Sequence, residues 1–382
     1  MKAADGFAGS PGRTTLLVQD LASLGLSADS MNRSAGPDFC EVLIGFLEPS
    51  DRPQLQAVGA LGEIANDSPK WRDYALDSNV LPPLLDLLKR DVKLSTLRVA
   101  SRTLFLFCKG GPSPRLLDKQ TLPAIARLVD HSDGEVITEA CWALADLSKG
   151  NYASSYVDEI IELGICRRLP ELLKHPSPYV VLAALSLASH IAAGSAKQTQ
   201  AVIDCGALSC LVVLFANPKD SIKEEACFAV SNIMAGTKDQ IQSAIDAGLI
   251  PPLVELMSNP NINVRREAAI ALCNATPASS MAQIAFLVQN GAISAFCDLL
   301  AVADEVIVRT ALEGLENILK AGQQQASSNS SGGAEVTNPF AQLILDAEDL
   351  CTKIEHAQDH PNEDLYLKAH GIAITYLSAE SD

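Results

Sequence analysis

Aromatic residues are scarce in this chain, and it has no long apolar run. Phe, Trp and Tyr together make up 5% of the 382 residues although 48% are hydrophobic, and only two residues are tryptophan. Small aliphatic side chains at this density are typical of helix-on-helix packing. No apolar run reaches the roughly 18 to 20 residues that a membrane span needs, and the N-terminus lacks the apolar core of a secretory signal. These absences predict a soluble, intracellular, all-α protein.

The sequence also lacks the motifs of catalytic and metal sites. It contains no phosphate-binding glycine loop with lysine, no GxSxG and no HExxH. Its ten cysteines are scattered, and the closest pair, Cys205 and Cys210, has no matching pair elsewhere, which favours reduced, buried thiols. His356 and His360 could share a helix face, but the polar segment around them favours a solvated surface over a metal site. We therefore expect no enzyme activity, no metal and no cofactor.

Basic residues are too few to balance the acidic ones. The chain has 46 Asp and Glu against 29 Lys and Arg, a net charge of −17. This charge repels nucleic acid and anionic membranes and favours cationic partners, although acidic surfaces also serve solubility alone.

What the sequence does contain is a repeat of about 42 residues, most visible as EEACFAVSNIMAG around Phe228. We call the position of Phe228 the anchor of its repeat. The anchors fall at Leu16, Gly59, Arg102, Trp142, Ser186, Phe228, Ile270 and Glu313. Internal repetition at this period predicts a helical solenoid in which each repeat packs on its neighbours.

Glycines recur with the same period. One series, Gly164, Gly206, Gly248 and Gly291, opens a downstream helix. A second series, Gly110, Gly150, Gly194 and Gly236, follows the anchor helix and predicts left-handed C-caps. Each repeat is thus expected to contain helices joined by tight turns.

The composition predicts four segments along the chain. Residues 1–13 are expected to be a disordered leader, and 14–321 the repeat array, with a partial first repeat that is typical of a truncated end or of a longer protein. The polar segment 322–338 is expected to be a flexible linker, and 339–380 a helical repeat that caps the array.

Several stretches resemble armadillo repeats, and specifically those of the importin-α family. They include TEACWALADLSKG, EEACFAVSNIMAGTKDQIQSAIDAGLIPPLVELM, REAAIALCNATPASSMAQIAFLVQNGAI and the C-terminal NPFAQLILDAEDLCTKIEHAQDHPNEDLYLKA. The resemblance covers most of residues 15–380 and implies a right-handed armadillo solenoid. It further implies a nuclear import adaptor that binds basic nuclear localization signals of cargo proteins and works in the cytoplasm and the nucleus.

In that family tryptophans at the anchor and asparagines four residues later form a ladder. Because positions i and i+4 share a helix face, each repeat presents an indole beside an amide. Lysine stems of an extended peptide pass between indoles with cation–π attraction, asparagines bind the peptide backbone, and acidic residues receive the ammonium groups.

This chain departs from that ladder. The anchor and anchor-plus-four pairs are Leu16/Asp20, Gly59/Glu63, Arg102/Leu106, Trp142/Asp146, Ser186/His190, Phe228/Asn232, Ile270/Asn274 and Glu313/Asn317. The resemblance places the major signal site on the first three, where no indole remains and Arg102 would repel a lysine. We therefore expect a degraded major site.

The resemblance assigns peptide binding to six residues: Asp67, Trp142, Phe228, Asn232, Glu267 and Asn274. The last four belong to a better preserved secondary site. The alternative interpretation, of equal weight, is that Phe228 and Ile270 only pack between helices while the asparagines satisfy local backbone groups.

The family also carries an Arg- and Lys-rich N-terminal segment that recruits the importin-β carrier. Residues 1–40 hold only Lys2, Arg13 and Arg33, so we expect that segment to be lacking here. The C-terminal repeat resembles the region that an export receptor binds. The competing hypothesis is an armadillo scaffold that has lost import-signal binding and holds some other protein.

Overall fold

The computed structural model describes residues 43–45, 47, 51–110, 116, 120–150, 153–329 and 337–378. The predicted leader 1–13 and the first pair, Leu16 and Asp20, lie outside the described residues. Within these ranges the regular structure is entirely helical, as the sequence predicted. The chain divides into two compact units, Met1–Ile191 and Ala192–Asp382, which are described separately.

Unit 1 contains nine α-helices among its described residues. They are α1 (Asp51–Asp67), α2 (Pro69–Asp77), α3 (Leu81–Lys89), α4 (Leu94–Cys108), α5 (Thr121–Val129), α6 (Gly134–Leu147), α7 (Ala153–Glu162), α8 (Leu169–Leu172) and α9 (Pro178–Ala192), the last ending at the unit boundary. A 3-10 turn, Ile165–Arg168, precedes α8. The long helices α1, α4 and α6 pack successively on one another.

Unit 2 contains twelve α-helices among its described residues. They are α10 (Ala196–Asp204), α11 (Ala207–Leu214), α12 (Asp220–Met234), α13 (Lys238–Asp246), α14 (Ile250–Leu256), α15 (Ile262–Ala278), α16 (Met281–Gln289), α17 (Ala292–Leu299), α18 (Glu305–Asn329), α19 (Pro339–Leu345), α20 (Glu348–Ala357) and α21 (Glu363–Ile372), followed by a π-helical turn, Ala373–Leu377. Here α12, α15 and α18 pack successively.

The anchors lie on the long helices in one register. The N-cap of each of these helices stands nine positions before the anchor: Lys93 before Arg102, Asp133 before Trp142, Lys219 before Phe228, and Asn261 before Ile270. Asp133 and Asn261 cap with their side chains, each accepting two backbone N–H groups of the first turn. A common start fixes which residues of successive helices share a face.

Small residues let the long helices approach closely. Ala226, Cys227 and Ala229 on α12 are buried, as are Ala268 and Ala271 on α15. Such side chains fill the space between two closely packed helices without large rings, which accounts for the low aromatic content.

The glycine series divide in an unexpected way. Gly110 and Gly150 are left-handed as predicted, with φ of 89° and 79°. Gly194 and Gly236 are not, so that prediction is wrong for them. Each directly precedes the N-cap of the next helix, and a Cβ on Gly236 would lie 2.3 Å from the Gln240 side chain. At Gly236, close approach rather than a positive φ requires glycine.

Left-handed residues occur instead at the four downstream glycines. Gly164, Gly206, Gly248 and Gly291 have φ between 79° and 89°. Glycine adopts this conformation without the steric cost that other residues meet, and it turns the chain from one short helix into the next.

Glutamines join successive repeats in unit 2. Gln198, Gln240 and Gln283 each complete a capping box with Ser195, Thr237 and Ser280 respectively. The Nε2 group of Gln240 also donates to the Ala196 carbonyl at 2.7 Å, and that of Gln283 to the Lys238 carbonyl at 2.8 Å. One amide therefore caps its own helix and binds the start of the equivalent helix in the preceding repeat.

The end of the array differs from the sequence prediction. Helix α18 continues to Asn329, beyond the predicted boundary at Ala321 and into the segment expected to be a flexible linker. Buried Ala326 lies within this extension. Helix α20 packs on α17 and α21 packs on α18, so the C-terminal helices join unit 2 as a further repeat.

Candidate functional site: the ladder face of the long helices

We define the ladder face as the anchor and anchor-plus-four positions of the long helices. Four of the six predicted binding residues occupy these positions, and Glu267 lies one turn before the anchor Ile270. Asp67 and Trp142 lie in unit 1, whereas Phe228, Asn232, Glu267 and Asn274 lie together on α12 and α15 of unit 2. Asp67 is the exposed last residue of α1, and the other five are partly exposed. All six side chains are therefore at least partly accessible to solvent.

In unit 2 two of the retained asparagines, Asn274 and Asn317, bridge neighbouring long helices. The Nδ2 group of Asn274 donates to the Ser231 carbonyl at 3.1 Å, and that of Asn317 donates to the Thr276 hydroxyl at 3.0 Å. An amide nitrogen has two N–H groups and the oxygen accepts as well. The bridging bond thus uses part of the capacity of Asn274, and both interpretations of this residue are compatible with the geometry.

Two carboxylates, Glu224 on α12 and Glu267 on α15, form what we call the acidic pair. Burial raises the pKa of Glu267, and the charge of Glu224 raises it further, against an opposing effect of Arg266. Burial also raises the pKa of Glu224. Arg266 itself is ion-paired with Asp304. The acidic pair therefore places two carboxyl groups about one turn before the anchors of α12 and α15, where a bound cation would favour their ionised forms.

The corresponding surface of unit 1 is more nearly neutralised. Arg102 forms an ion pair of 3.5 Å with Glu139, one turn before Trp142 on α6. Burial raises the pKa of Glu139, and Arg102 opposes this effect. Buried Asp146, at the anchor-plus-four position, pairs with Lys149.

The last ladder positions of unit 1 are not arranged for peptide binding. Ser186 on α9 is buried, and its carbonyl lies 2.6 Å from Nδ1 of His190. Burial lowers the pKa of His190, which favours the neutral imidazole near neutral pH. This pair therefore serves local packing and backbone satisfaction.

Sequence reasoning missed the acidic residue three positions before the anchor as a recurrent feature. Glu139, Glu225 and Glu267 occupy it in TEACW, EEACF and REAAI. The shared Glu-Ala was visible in the quoted repeats. The neutralisation of Glu139 by Arg102, however, depends on a contact between two helices. Trp71 lies outside the ladder as predicted, on α2, edge-on to Tyr74 with ring centroids 6.1 Å apart.

Other ligand classes find little support in the described part of the chain. It contains no cluster of His, Cys, Asp and Glu that could hold a metal ion. The Nδ1 atom of His360 accepts the Asn362 backbone N–H at 3.0 Å, so this ring belongs to a turn. Among the same residues no helix is long and apolar enough to cross a bilayer.

Comparison with known proteins agrees with this architecture. The Armadillo/beta-catenin-like repeat family matches residues 195–235, 237–276 and 280–320. The chain is 46% identical to "Importin subunit alpha-1b" of Oryza sativa subsp. japonica over 350 residues, 91% of this chain and 64% of that protein. It is 38% identical to "Importin subunit alpha-8" of Arabidopsis thaliana, covering 90% of this chain and 76% of that protein.

A solved structure shares the arrangement as well. A designed armadillo repeat protein in complex with the peptide (KR)4 is 27% identical, with a TM-score of 0.52 over 73% of this chain and 99% of that one. Tandem three-helix repeats with a ladder face define an armadillo repeat protein. More narrowly, the extent and identity of the match to its relatives show that the chain belongs to the importin-α family.

Proposed function

We propose that this protein is a nuclear import adaptor that binds basic nuclear localization signals of cargo proteins through the ladder face of unit 2. The observation that carries the proposal is the acidic pair, Glu224 and Glu267, on the two packed helices that also present Phe228, Asn232 and Asn274. Carboxylates attract the ammonium and guanidinium groups of a basic peptide, an aromatic ring adds cation–π attraction, and amides bind an extended backbone.

The comparisons support this ligand class. The rice and Arabidopsis relatives are named importin subunits. The designed armadillo protein is in complex with (KR)4, a peptide in which every side chain is cationic. Membership of the importin-α family also motivates the partners that we propose: basic cargo, an importin-β carrier and an export receptor, with residence in both cytoplasm and nucleus.

The major site is proposed to be degraded. Gly59 and Arg102 stand where the family has indoles, and each lost cation–π contact costs about 0.5 to 2 kcal/mol. Arg102 adds a positive charge at this site and forms an ion pair with Glu139, which is then not free to bind a peptide cation. Asp67 and Trp142 are the two predicted binding residues left in unit 1, and they do not by themselves compensate for these losses.

The arrangement in unit 1 also favours a second candidate function, because Arg102 neutralises Glu139 there and leaves little attraction for a basic peptide. If the acidic pair of unit 2 serves only packing as well, the chain is an armadillo scaffold that holds another kind of protein. Both candidates are non-enzymatic, and they differ in whether a basic peptide binds.

The first experiment is calorimetric titration of the full chain with (KR)4 and with an alanine-substituted control peptide, at low and physiological salt. We expect micromolar or tighter binding of (KR)4 only. No binding at either salt concentration would favour the scaffold.

The variant that tests the site combines Asn232→Ala with Glu267→Arg. It removes a backbone-binding amide and inverts a charge, so we expect loss of (KR)4 binding. Glu255→Arg, an exposed residue of α14 outside the ladder face, is the matched control for charge inversion and should bind nearly as the wild type does. Unchanged affinity in the double variant would place the peptide elsewhere.

A further inference from the structure

The long helices of unit 1 carry their own cation on the ladder face. The Arg102 guanidinium at the anchor of α4 lies 3.5 Å from Oε1 of Glu139, three positions before the anchor of α6. The Glu139 side chain is 18% exposed and that of Arg102 38%, so the carboxylate is inside and the guanidinium covers it from the ladder face.

The ion pair between Arg102 and Glu139 is not the only one between α4 and α6. Arg98, one turn earlier on α4, also binds α6. There Arg98 binds Asp133 at 2.7 Å and Glu135 at 2.8 Å. Asp133 is the N-cap of α6, so these contacts fix the helix start. Since Arg98 already joins the helices, Arg102 is not needed for this purpose.

Unit 2 has the same register with a different residue at the key position. Phe228 on α12 corresponds to Arg102, and Glu267 on α15 corresponds to Glu139, because the N-caps stand equally far from the anchors in both pairs of helices. Within the described residues no lysine or arginine forms an ion pair with Glu267. The two places thus differ in whether the chain itself supplies the cation.

We propose that Arg102 takes the place of a ligand cation in unit 1. It pairs with Glu139 at the site that Glu139 and Trp142 would otherwise offer to a basic peptide, and so directs basic peptides to unit 2. The inference rests on the proposed function for the class of ligand. It identifies Arg102 and Phe228 as the residues that determine which site is open.

An internal cation has the advantage over a ligand. Arg102 is tethered beside Glu139, whereas a peptide must lose translational freedom to reach the same carboxylate. The guanidinium also remains charged at every physiological pH. A peptide would have to displace it and leave a positive charge at the position where the lysine stem must pass.

The test exchanges the two residues. In Arg102→Phe, Glu139 keeps its place but loses its partner, and a phenyl ring stands where unit 2 has Phe228. We expect a second (KR)4 site, with stoichiometry rising from one peptide to two and affinity at unit 1 at least about tenfold above the wild type.

Arg102→Gln, which keeps a polar side chain and removes only the charge, should open the site partially. The reciprocal variant, Phe228→Arg, should weaken the unit 2 site at least about tenfold.

Trp142 reports directly on the opened site. The chain has only two tryptophans, and Trp142 lies one turn from Glu139. Addition of (KR)4 should leave its fluorescence unchanged in the wild type and change it in Arg102→Phe. The control is Arg102→Phe with Glu139→Gln, which should lose that change. Circular dichroism and the melting temperature establish that each variant is folded.

The outcomes separate the two proposals. If the wild type does not bind (KR)4 but Arg102→Phe binds it beside Trp142, the proposed function fails, and with it the direction of peptides to unit 2, whereas the occupation of the Glu139 site by Arg102 stands. A peptide response of Trp142 in the wild type would overturn the inference. So would folded Arg102→Phe and Arg102→Gln variants that gain no binding.

Discussion

Glu139 and Glu267 occupy the same position of their repeats, but the charged residues around them differ. Burial raises the pKa of both carboxyl groups. Arg102 opposes the shift at Glu139, where Glu135 adds to it, whereas Glu224 adds to the shift at Glu267, where Arg266 opposes it. A carboxylate whose charge is disfavoured by its surroundings gains most from a bound cation, because the cation restores the ionised form.

This argument predicts a pH dependence of peptide binding. Glu267 takes up a proton at higher pH than a free glutamate, so its contribution to folding is present below the unfolded pKa and is lost as pH rises through the folded pKa. Peptide binding has the opposite sign, since it needs the ionised form. We expect the (KR)4 affinity to fall as pH is lowered from about 7 to about 5, while the Lys and Arg side chains of the peptide keep their charge.

Glu267→Gln is the variant that checks this pH effect. It should bind more weakly at about pH 7 and show a smaller pH dependence, since Glu224 still titrates. Calorimetric titration at both pH values measures the difference. An equal loss of affinity on acidification in wild type and variant would assign the titration to other groups.

At the scale of the helical elements, Gln240 contributes to two repeats at once. Its oxygen accepts the Thr237 backbone N–H at 3.0 Å, and its nitrogen donates to the Ala196 carbonyl at 2.7 Å and to Gln200 at 3.3 Å. The residue is buried, so loss of the amide would leave the Ala196 carbonyl without this donor.

We therefore expect Gln240→Ala to destabilise unit 2 by about 2 to 4 kcal/mol, from a lost capping box and a lost buried hydrogen bond. Gln289→Ala is the matched control, because Gln289 is an exposed glutamine on α16, the equivalent helix of the next repeat. It should cost about 0.5 kcal/mol or less. Urea unfolding followed by circular dichroism gives both values, and similar losses would remove the special role of the capping glutamines.

The elements also show which parts of the fold the sequence encodes locally. The repeat period placed Phe228 and Ile270 at the same register, and the N-caps confirm it, because capping depends on residues within one turn. Gly194 and Gly236 were wrongly predicted to be left-handed, since their backbone conformation is set by the capping box that follows. The continuation of α18 to Asn329 was missed because its polar sequence indicates a linker when tertiary packing is ignored.

The candidate site was only partly predictable for the same reason. Phe228, Asn232, Glu267 and Asn274 followed from family resemblance and lie on adjacent helices. The pairing of Arg102 with Glu139 joins residues from different repeats, and no property of either segment alone reveals it. Local patterns gave the register, whereas the electrostatic difference between the two units required the contacts.

At the scale of the whole molecule, the net charge of −17 acts on any cationic ligand before contact. A field of one sign accelerates encounter with a peptide of opposite sign, and salt screens it beyond a Debye length of about 8 Å at physiological ionic strength. Short-range contacts with Phe228 and the asparagines act only after docking. Association and dissociation should therefore respond differently to salt.

We expect the association rate of (KR)4 to fall about threefold to tenfold when salt is raised from about 50 to about 150 mM, with the dissociation rate changed by less than about twofold. Stopped-flow mixing with a fluorescently labelled peptide measures both rates. Glu255→Gln and Glu267→Gln remove one negative charge each and provide a matched pair. Both should lower the association rate slightly, because both weaken the long-range field, but only Glu267→Gln removes a proposed contact and should speed dissociation. An association rate that does not depend on salt, or equal dissociation rates in the two variants, would contradict electrostatic steering to a site at Glu267.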